Sequence, residues 1–246
     1  MEQTKNTFPT EEVTLPSKGL LYPTDSPLRK GAIEMRYMTA QHEDILTNQN
    51  LIENGTVIDK LLKSLIVTDI SYSDLLIGDK NAILIASRIL GYGSEYTFEY
   101  KGEEITVDLT SIKDKPVHKE LEGKEDNLFD FTLPSAKVNV SFKLLTHGDE
   151  VSINQELKGL KKIGKGHTES STRMKYMIKA VSGDMDVKTI REFVDNQLLA
   201  RDARALRNHM SEIQPDIDLS FEHEDRKGNT TKVQVPIGVG FFWPDA

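Results

Sequence analysis

Apolar and polar positions alternate over Ile33-Glu34-Met35-Arg36-Tyr37, the period-two pattern of a half-buried strand. The same period predicts a hairpin from Tyr96 to Leu109. Tyr96 and Phe98 run in, Lys101-Gly102 turn, and Ile105, Val107 and Leu109 run out. Strands are expected again at 129–133 and 138–144, and a closing hairpin at 217–223 and 231–236. Between these stretches the period lengthens. Ile58, Leu61, Leu62 and Leu65 share one face of a helix over 56–66. A helix over 79–90 starts at Asp79, carries Ile83, Ala86 and Leu90, and stops at Gly91. Further helices are expected at 149–161, 169–182 and 187–213. Thr39 stands at a helix N-cap, with Glu43 and Asp44 where carboxylates meet the positive end of the dipole. Leu15 to Pro23 reads as an extended arm, because each proline biases its predecessor towards extended backbone.

These elements fall into two similar series. Thr14-Leu15-Pro16-Ser17 recurs as Thr132-Leu133-Pro134-Ser135, 118 residues on. After each copy come a strand, a threonine at a strand-to-helix junction (Thr39, Thr146) and an acid four residues later (Glu43, Glu150). Leu75-Leu76, Asp79, Ala82, Phe98 and Glu99 then match Leu198-Leu199, Asp202, Ala205, Phe221 and Glu222 at a constant offset of 123. Gly102 and Val107 match Gly228 and Val233 after a lengthened turn. The expected fold is α+β, with two pseudo-repeated units, each holding an extended arm and strand, a helical cluster and a β-hairpin. Repeat 1 covers 13–112 and repeat 2 covers 131–236, flanked by a frayed start (1–12), a charged linker (113–130) and an aromatic tail (237–246). Such a chain suits a scaffold with two similar surfaces better than a single catalytic pocket, although duplicated folds do house enzymes.

Composition narrows the chemistry. The 246 residues include no cysteine, so disulfides, thiol nucleophiles and thiolate zinc sites are excluded. No apolar run is long enough for a membrane span, and the first residues lack a signal peptide's apolar core. The net charge of −8 argues against nucleic-acid binding by the whole surface. Gly159 to Gly166 matches G-x-x-x-x-G-K but ends in glycine where a phosphate loop needs Ser or Thr, and it follows a helix-like stretch. The six histidines have no metal-ligand spacing, and His223 among Glu222, Glu224 and Asp225 reads as a solvated turn. No catalytic set, cofactor site or metal site is therefore expected. Two stretches remain as partner surfaces. Arg191, Arg201, Arg204 and Arg207 lie on the long helix over 187–213, and the last three form a basic stripe opposite Leu199, Ala203, Leu206 and Met210. The ending Phe241-Phe242-Trp243 offers aromatic anchors if exposed and core closure if folded inwards.

Several of these segments together resemble the T4-type baseplate hub and hub-assembly proteins of contractile-tailed bacteriophages. They are Leu15-Pro16-Ser17-Lys18-Gly19 with Tyr22-Pro23, Met35 to Glu43, Leu75-Leu76-Ile77-Gly78-Asp79, Arg88 to Gly93, and Phe241-Phe242-Trp243-Pro244. The resemblance implies a non-enzymatic, late viral structural protein or assembly factor, working in the host cytoplasm or in the virion tail. Its partners would be other hub and tail proteins, the tape-measure protein among them, with self-association open and no membrane. Wider relatives carry paired cysteines on such hairpins, and this chain has none. Two other classes stay open: a nucleic-acid-associated phage protein using 158–165 and 201–207, and an enzyme with a site between the halves.

Overall fold

The computed structural model describes residues 9–164, 168–224, 228–237 and 239–242. Its first strand, β1 (Thr10–Thr14), pairs antiparallel with β2 (Ala32–Arg36), placing Val13 opposite Ile33 and Thr10 opposite Arg36. Residues 10–12, expected to fray, thus have ladder partners; residues 1–8 of that expectation lie outside the described residues. Between the two strands the arm does not extend. Lys18 N donates to Leu15 O and Leu20 N to Ser17 O, closing successive turns through Lys18, Gly19 and Leu21 at positive φ. A Cβ on Gly19 would lie 2.2 Å from Arg29 O, so glycine is required there by space as well as by φ. The local bias of the prolines is overridden because Ser17 and Tyr22 are drawn onto the buried carboxylate of Asp79.

Four helices follow: α1 (Ala40–Leu46), α2 (Gln49–Glu53), α3 (Val57–Leu65) and α4 (Ile77–Tyr92). The apolar face of α3 buries Val57, Leu61, Leu62 and Leu65, and Ile66 beyond it bridges to Met35 of β2. Helix α4 starts from Leu76 as N-cap, not from Asp79, which is turned inwards and fully buried. It also runs through Gly91 and ends at Gly93. Gly91 is a packing glycine, since a Cβ there would meet Met38 Sδ at 2.3 Å. Strands β3 (Glu95–Tyr100) and β4 (Glu103–Asp108) form the hairpin around Lys101-Gly102.

A two-residue strand, β5 (Lys113–Asp114), precedes the sheet β6 (Phe129–Thr132), β7 (Asn139–Phe142) and β8 (Ile178–Val181). Helices α5 (His147–Lys162) and α6 (Glu169–Met177) lie between β7 and β8. The helix expected over 169–182 stops at Met177, where Ile178, Ala180 and Val181 turn into the sheet and are buried. The helix expected over 187–213 is two: α7 (Val187–Asn196) and α8 (Ala200–Ile213). Leu198 N folds back onto Phe193 O, and extended Leu199 caps α8. Strands β9 (Ile217–Asp218), β10 (Ser220–Glu224) and β11 (Thr230–Gln234) follow. The result is α+β, with eight α-helices, 45% helix, 23% strand and small antiparallel sheets among the described residues.

The segment 113–130 is not a free linker. β5 pairs with β9, Leu121 is fully buried, and Phe129 opens β6. A second seam joins the halves where His147 N donates to Leu75 O at 2.8 Å and Ile77 N to Leu145 O. Buried side chains from Leu15 to Phe242 form one cluster, so 13–112 and 131–236 share a core.

Candidate functional site

Each TLPS segment ends on an aspartate near the start of a helix. Asp79 Oδ1 accepts from Ser17 N at 2.9 Å, and its Oδ2 accepts from Ser17 Oγ at 2.7 Å and from the Tyr22 hydroxyl at 2.6 Å. Tyr22 in turn accepts from Leu76 N, satisfying an amide that α4 leaves free. Burial raises the Asp79 pKa, with these donors opposing, and burial beside Asp79 pushes the Tyr22 phenol far up. Asp202 in α8 accepts from Ser135 N at 2.8 Å and Ala136 N at 3.0 Å. Its burial also opposes ionisation, but these amides outweigh it and hold the carboxyl below its ordinary range.

The seam between the halves carries a polar cluster that spacing did not reveal. Asp59 of α3 takes Lys80 Nζ at 2.6 Å and the Tyr72 hydroxyl at 3.0 Å, and faces His147 Nε2 at 3.5 Å. Burial, with Lys80 alongside, lowers the His147 pKa, so neutral Nδ1 accepts from Lys80 Nζ at 3.1 Å. A histidine, lysine, aspartate and tyrosine in one cluster could in principle move protons. Here their polar atoms bond one another and tie α3, α4 and α5 together.

The tail is a correction. Phe241 and Phe242 are fully buried, not exposed anchors. Arg88, itself 1% exposed, donates from Nε to Phe241 O at 3.0 Å and through its other nitrogens to Gly93 O and Glu95 O. Phe241 meets Tyr96 edge-on at 4.8 Å, and Tyr96 donates to Pro236 O. A buried guanidinium needs such acceptors, and the tail supplies one. Loss of Phe241 and Phe242 would therefore strip the core. Trp243 lies outside the described residues.

Phe98 and Phe221 meet edge-on at 6.2 Å, so the hairpins β3–β4 and β10–β11 lean together with their outer faces in solvent. On β3–β4 that face pairs Glu95 with Asp108 and Glu99 with Glu104 across Thr97 and Thr106. On β10–β11 it pairs Glu222 with Lys232. Arg201 and Arg204 are exposed on α8. Arg191 does not share their helix: it sits on α7 and is held by Glu156 through two bonds of 2.7 and 2.8 Å. Leu199, expected on the apolar side, is 44% exposed. Helix α5 runs into the G-x-x-x-x-G-K match and ends at Lys162, and Lys165 to His167 lie outside the described residues.

Two open clefts flank the seam. One, of about 550 Å³, is lined by Tyr22, Asp25, Asp74, Asp126 and Lys143. The other, of about 340 Å³, lies between α6 and α8 over Leu145, Met177 and Met210. Among the described residues no group of three or more His, Asp or Glu is placed to hold a metal ion, and no helix is long and apolar enough to cross a membrane. The sequence marks Asp79 only as a helix start and repeat position and Arg88 only within a resembling segment, and nothing in it singles out Asp59 or His147. The one available signal was Arg88 standing inside the mostly apolar run Ala82 to Leu90. No family model matches the chain, nor does any curated protein or solved structure.

Proposed function

We propose that the chain is a bacteriophage tail baseplate hub subunit or hub-assembly factor, acting through protein–protein contacts and without catalysis. The observation that carries this reading is that the segments behind the hub-protein resemblance fit one another. Ser17 and Tyr22 of the arm close on Asp79 of Leu75-Leu76-Ile77-Gly78-Asp79. Met38 packs on Gly91, and Arg88 of the same helix takes the carbonyl of Phe241. Residues that stand 53 to 153 positions apart thus act as one set of fold determinants, as expected of a shared fold. The tandem duplication belongs to the same proposal; its support is that Ser17 with Asp79 and Ser135 with Asp202 meet in the same way. The outer faces of the two hairpins are the surfaces through which such a scaffold would hold its neighbours in register.

The test is capture of an affinity-tagged copy from infected cells, with protein identification by mass spectrometry. Recovery of tail hub proteins supports the proposal. Recovery of none, with the chain also missing from purified tails and from every tail-assembly intermediate, overturns it.

A further inference from the structure

The cleft between α6 and α8 has a composition that specifies a ligand. Its floor is apolar and adaptable: Leu145 and Met210 are buried, and Met177 is half-buried. Its rim carries Arg173, Lys115 and Arg207. Arg173 is committed to Glu150 through bonds of 2.5 and 2.9 Å, and Lys115 sits 3.7 Å from Asp216. Arg207 has only a neutral contact among the described residues, donating to Ser170 Oγ at 3.1 Å. The cleft therefore presents one guanidinium without a carboxylate, above a methionine floor, on a chain of net charge −8.

The corresponding place in the first half is filled. There Met38 stands at the junction held by Leu145 in the second half and packs directly on Gly91. Tyr92 reaches Glu43, the acid at the position of Glu150. In the second half the residue 123 positions on from Gly91 is Gln214, just past the end of α8, and the space stays open. About 340 Å³ is at the small end of ligand sites and holds one or two side chains.

We infer that this cleft docks a short segment of a partner protein, consisting of an unbranched or γ-branched apolar residue beside an acidic one. The apolar side chain lies on Met177 and Met210, and the carboxylate takes the free fork of Arg207. Charge-assisted pairing of this kind is the strong, geometry-selective contact for a guanidinium. This deepens the assembly reading and rests on it only for the source of the segment. The cleft is tested on the purified chain, separately from whether tails contain it.

The probe is acetyl-leucyl-glutamate amide, titrated against protein carrying ¹³C-labelled methionine methyls. Met177 and Met210 signals are expected to shift saturably, with Kd of about 1 mM or below. The glutamine analogue, and the glycyl-glutamate peptide without the apolar side chain, should each bind at least about tenfold more weakly. Arg207→Gln should lose at least about tenfold, and Arg201→Gln, on the exposed face of the same helix, should change nothing. Both substitutions are at solvent-facing positions, and unchanged circular dichroism verifies folding. No saturable shift at either methionine overturns the site. So does equal binding of the glutamine or glycine peptide, or undiminished binding by Arg207→Gln.

Discussion

The two halves solve one problem, the anchoring of a TLPS segment on a helix, with opposite electrostatics. In the first, Asp79 is ringed by hydroxyls and one amide, and burial dominates, so its pKa is raised. In the second, both oxygens of Asp202 take backbone amides, and its pKa is lowered. The same residue type at matching positions is a poor anion in one half and a good one in the other. Burial decides the direction, outweighing the donors at Asp79 and being outweighed by them, with Arg201, at Asp202. Donor identity sets instead how each site tolerates an amide, since hydroxyls can reverse direction and backbone N–H groups cannot. The helices differ too. α4 is pressed against the other half and α8 faces solvent on its first turn, so the first half tolerates less.

Gly78 and Arg201 occupy matching places on α4 and α8 and should give the largest contrast. A Cβ on Gly78 would lie 1.8 Å from Pro215 O, a backbone atom that cannot step aside. In an open helix Gly→Ala stabilises, but here overpacking wins. Gly78→Ala is expected to cost about 3 kcal/mol in urea unfolding. Arg201→Ala should stay within about 0.5 kcal/mol. Equal effects would remove the asymmetry between the two helices.

The aspartates come next. Asp79→Asn can keep its oxygen on Ser17 N and turn its NH2 to Ser17 Oγ or Tyr22, which can accept, so its cost should stay within about 1 kcal/mol. Asp202→Asn must set an NH2 against a backbone N–H at Ser135 or Ala136, and should lower the urea midpoint clearly more. The pH slopes should oppose. With a raised folded pKa, the Asp79 contribution weakens as pH climbs from 3.8 through the folded value. With a depressed one, the Asp202 contribution is present above 3.8 and is lost as pH falls below it. Asp79→Asn should therefore remove only the first slope. Asp79→Asn proving the worse substitution would sink the donor-identity argument.

Much of this fold was legible where the cause is local. Ile58, Leu61, Leu62 and Leu65 announce α3 because one face must be buried, and Gly102 announces a hairpin because glycine takes positive φ freely between two alternating runs. What was not legible has distant causes. Gly91 looks like a helix stop until Met38 arrives from 53 residues away. Residues 187–213 look like one helix until Leu198 folds back on Phe193. The tail read equally well as anchor or plug, because the deciding partner, Arg88, is 153 residues upstream. Of the candidate surface, Arg201 and Arg204 were readable as exposed from their spacing. The cleft by Arg207 was not, being assembled from α6, α8 and the seam.

The N-terminal caps of α1 and α5 extend the comparison to smaller energies. Thr39 N donates to His42 Nδ1 at 2.9 Å, whereas Thr146 N donates to Asp149 Oδ2 at 2.9 Å. Burial and nearby Arg36 lower the His42 pKa, as burial and Lys80 lower that of His147. Since the unfolded chain binds these protons more readily, their contribution is present above pH 6.5 and is lost as pH falls below it. Protonation of Nδ1 also turns the α1 cap into a donor facing a donor. His42→Asp should make the first cap like the second, adding about 0.5 kcal/mol and flattening part of the slope of urea midpoints between pH 7.5 and 5. His147→Gln should flatten the remainder. A slope unchanged in both variants would place the pH sensitivity elsewhere.

The smallest contrast lies on the hairpins. Glu99 faces Glu104 on β3–β4, while Glu222 faces Lys232 on β10–β11. Directly opposed like charges destabilise a ladder and opposed unlike charges support it. Glu99→Lys is therefore expected to stabilise by about 0.5 kcal/mol, and Lys232→Glu to destabilise by about the same. Both effects should shrink in about 1 M salt, where screening acts within about 3 Å. Under the proposed assembly role, a basic neighbour would complete the pairing that these opposed acids lack on their exposed face. Glu99→Lys should accordingly fold better alone and recover fewer partners in the capture experiment. Better folding with undiminished capture would leave the acidic face without a role in docking and shift the partner surface to the α6–α8 side.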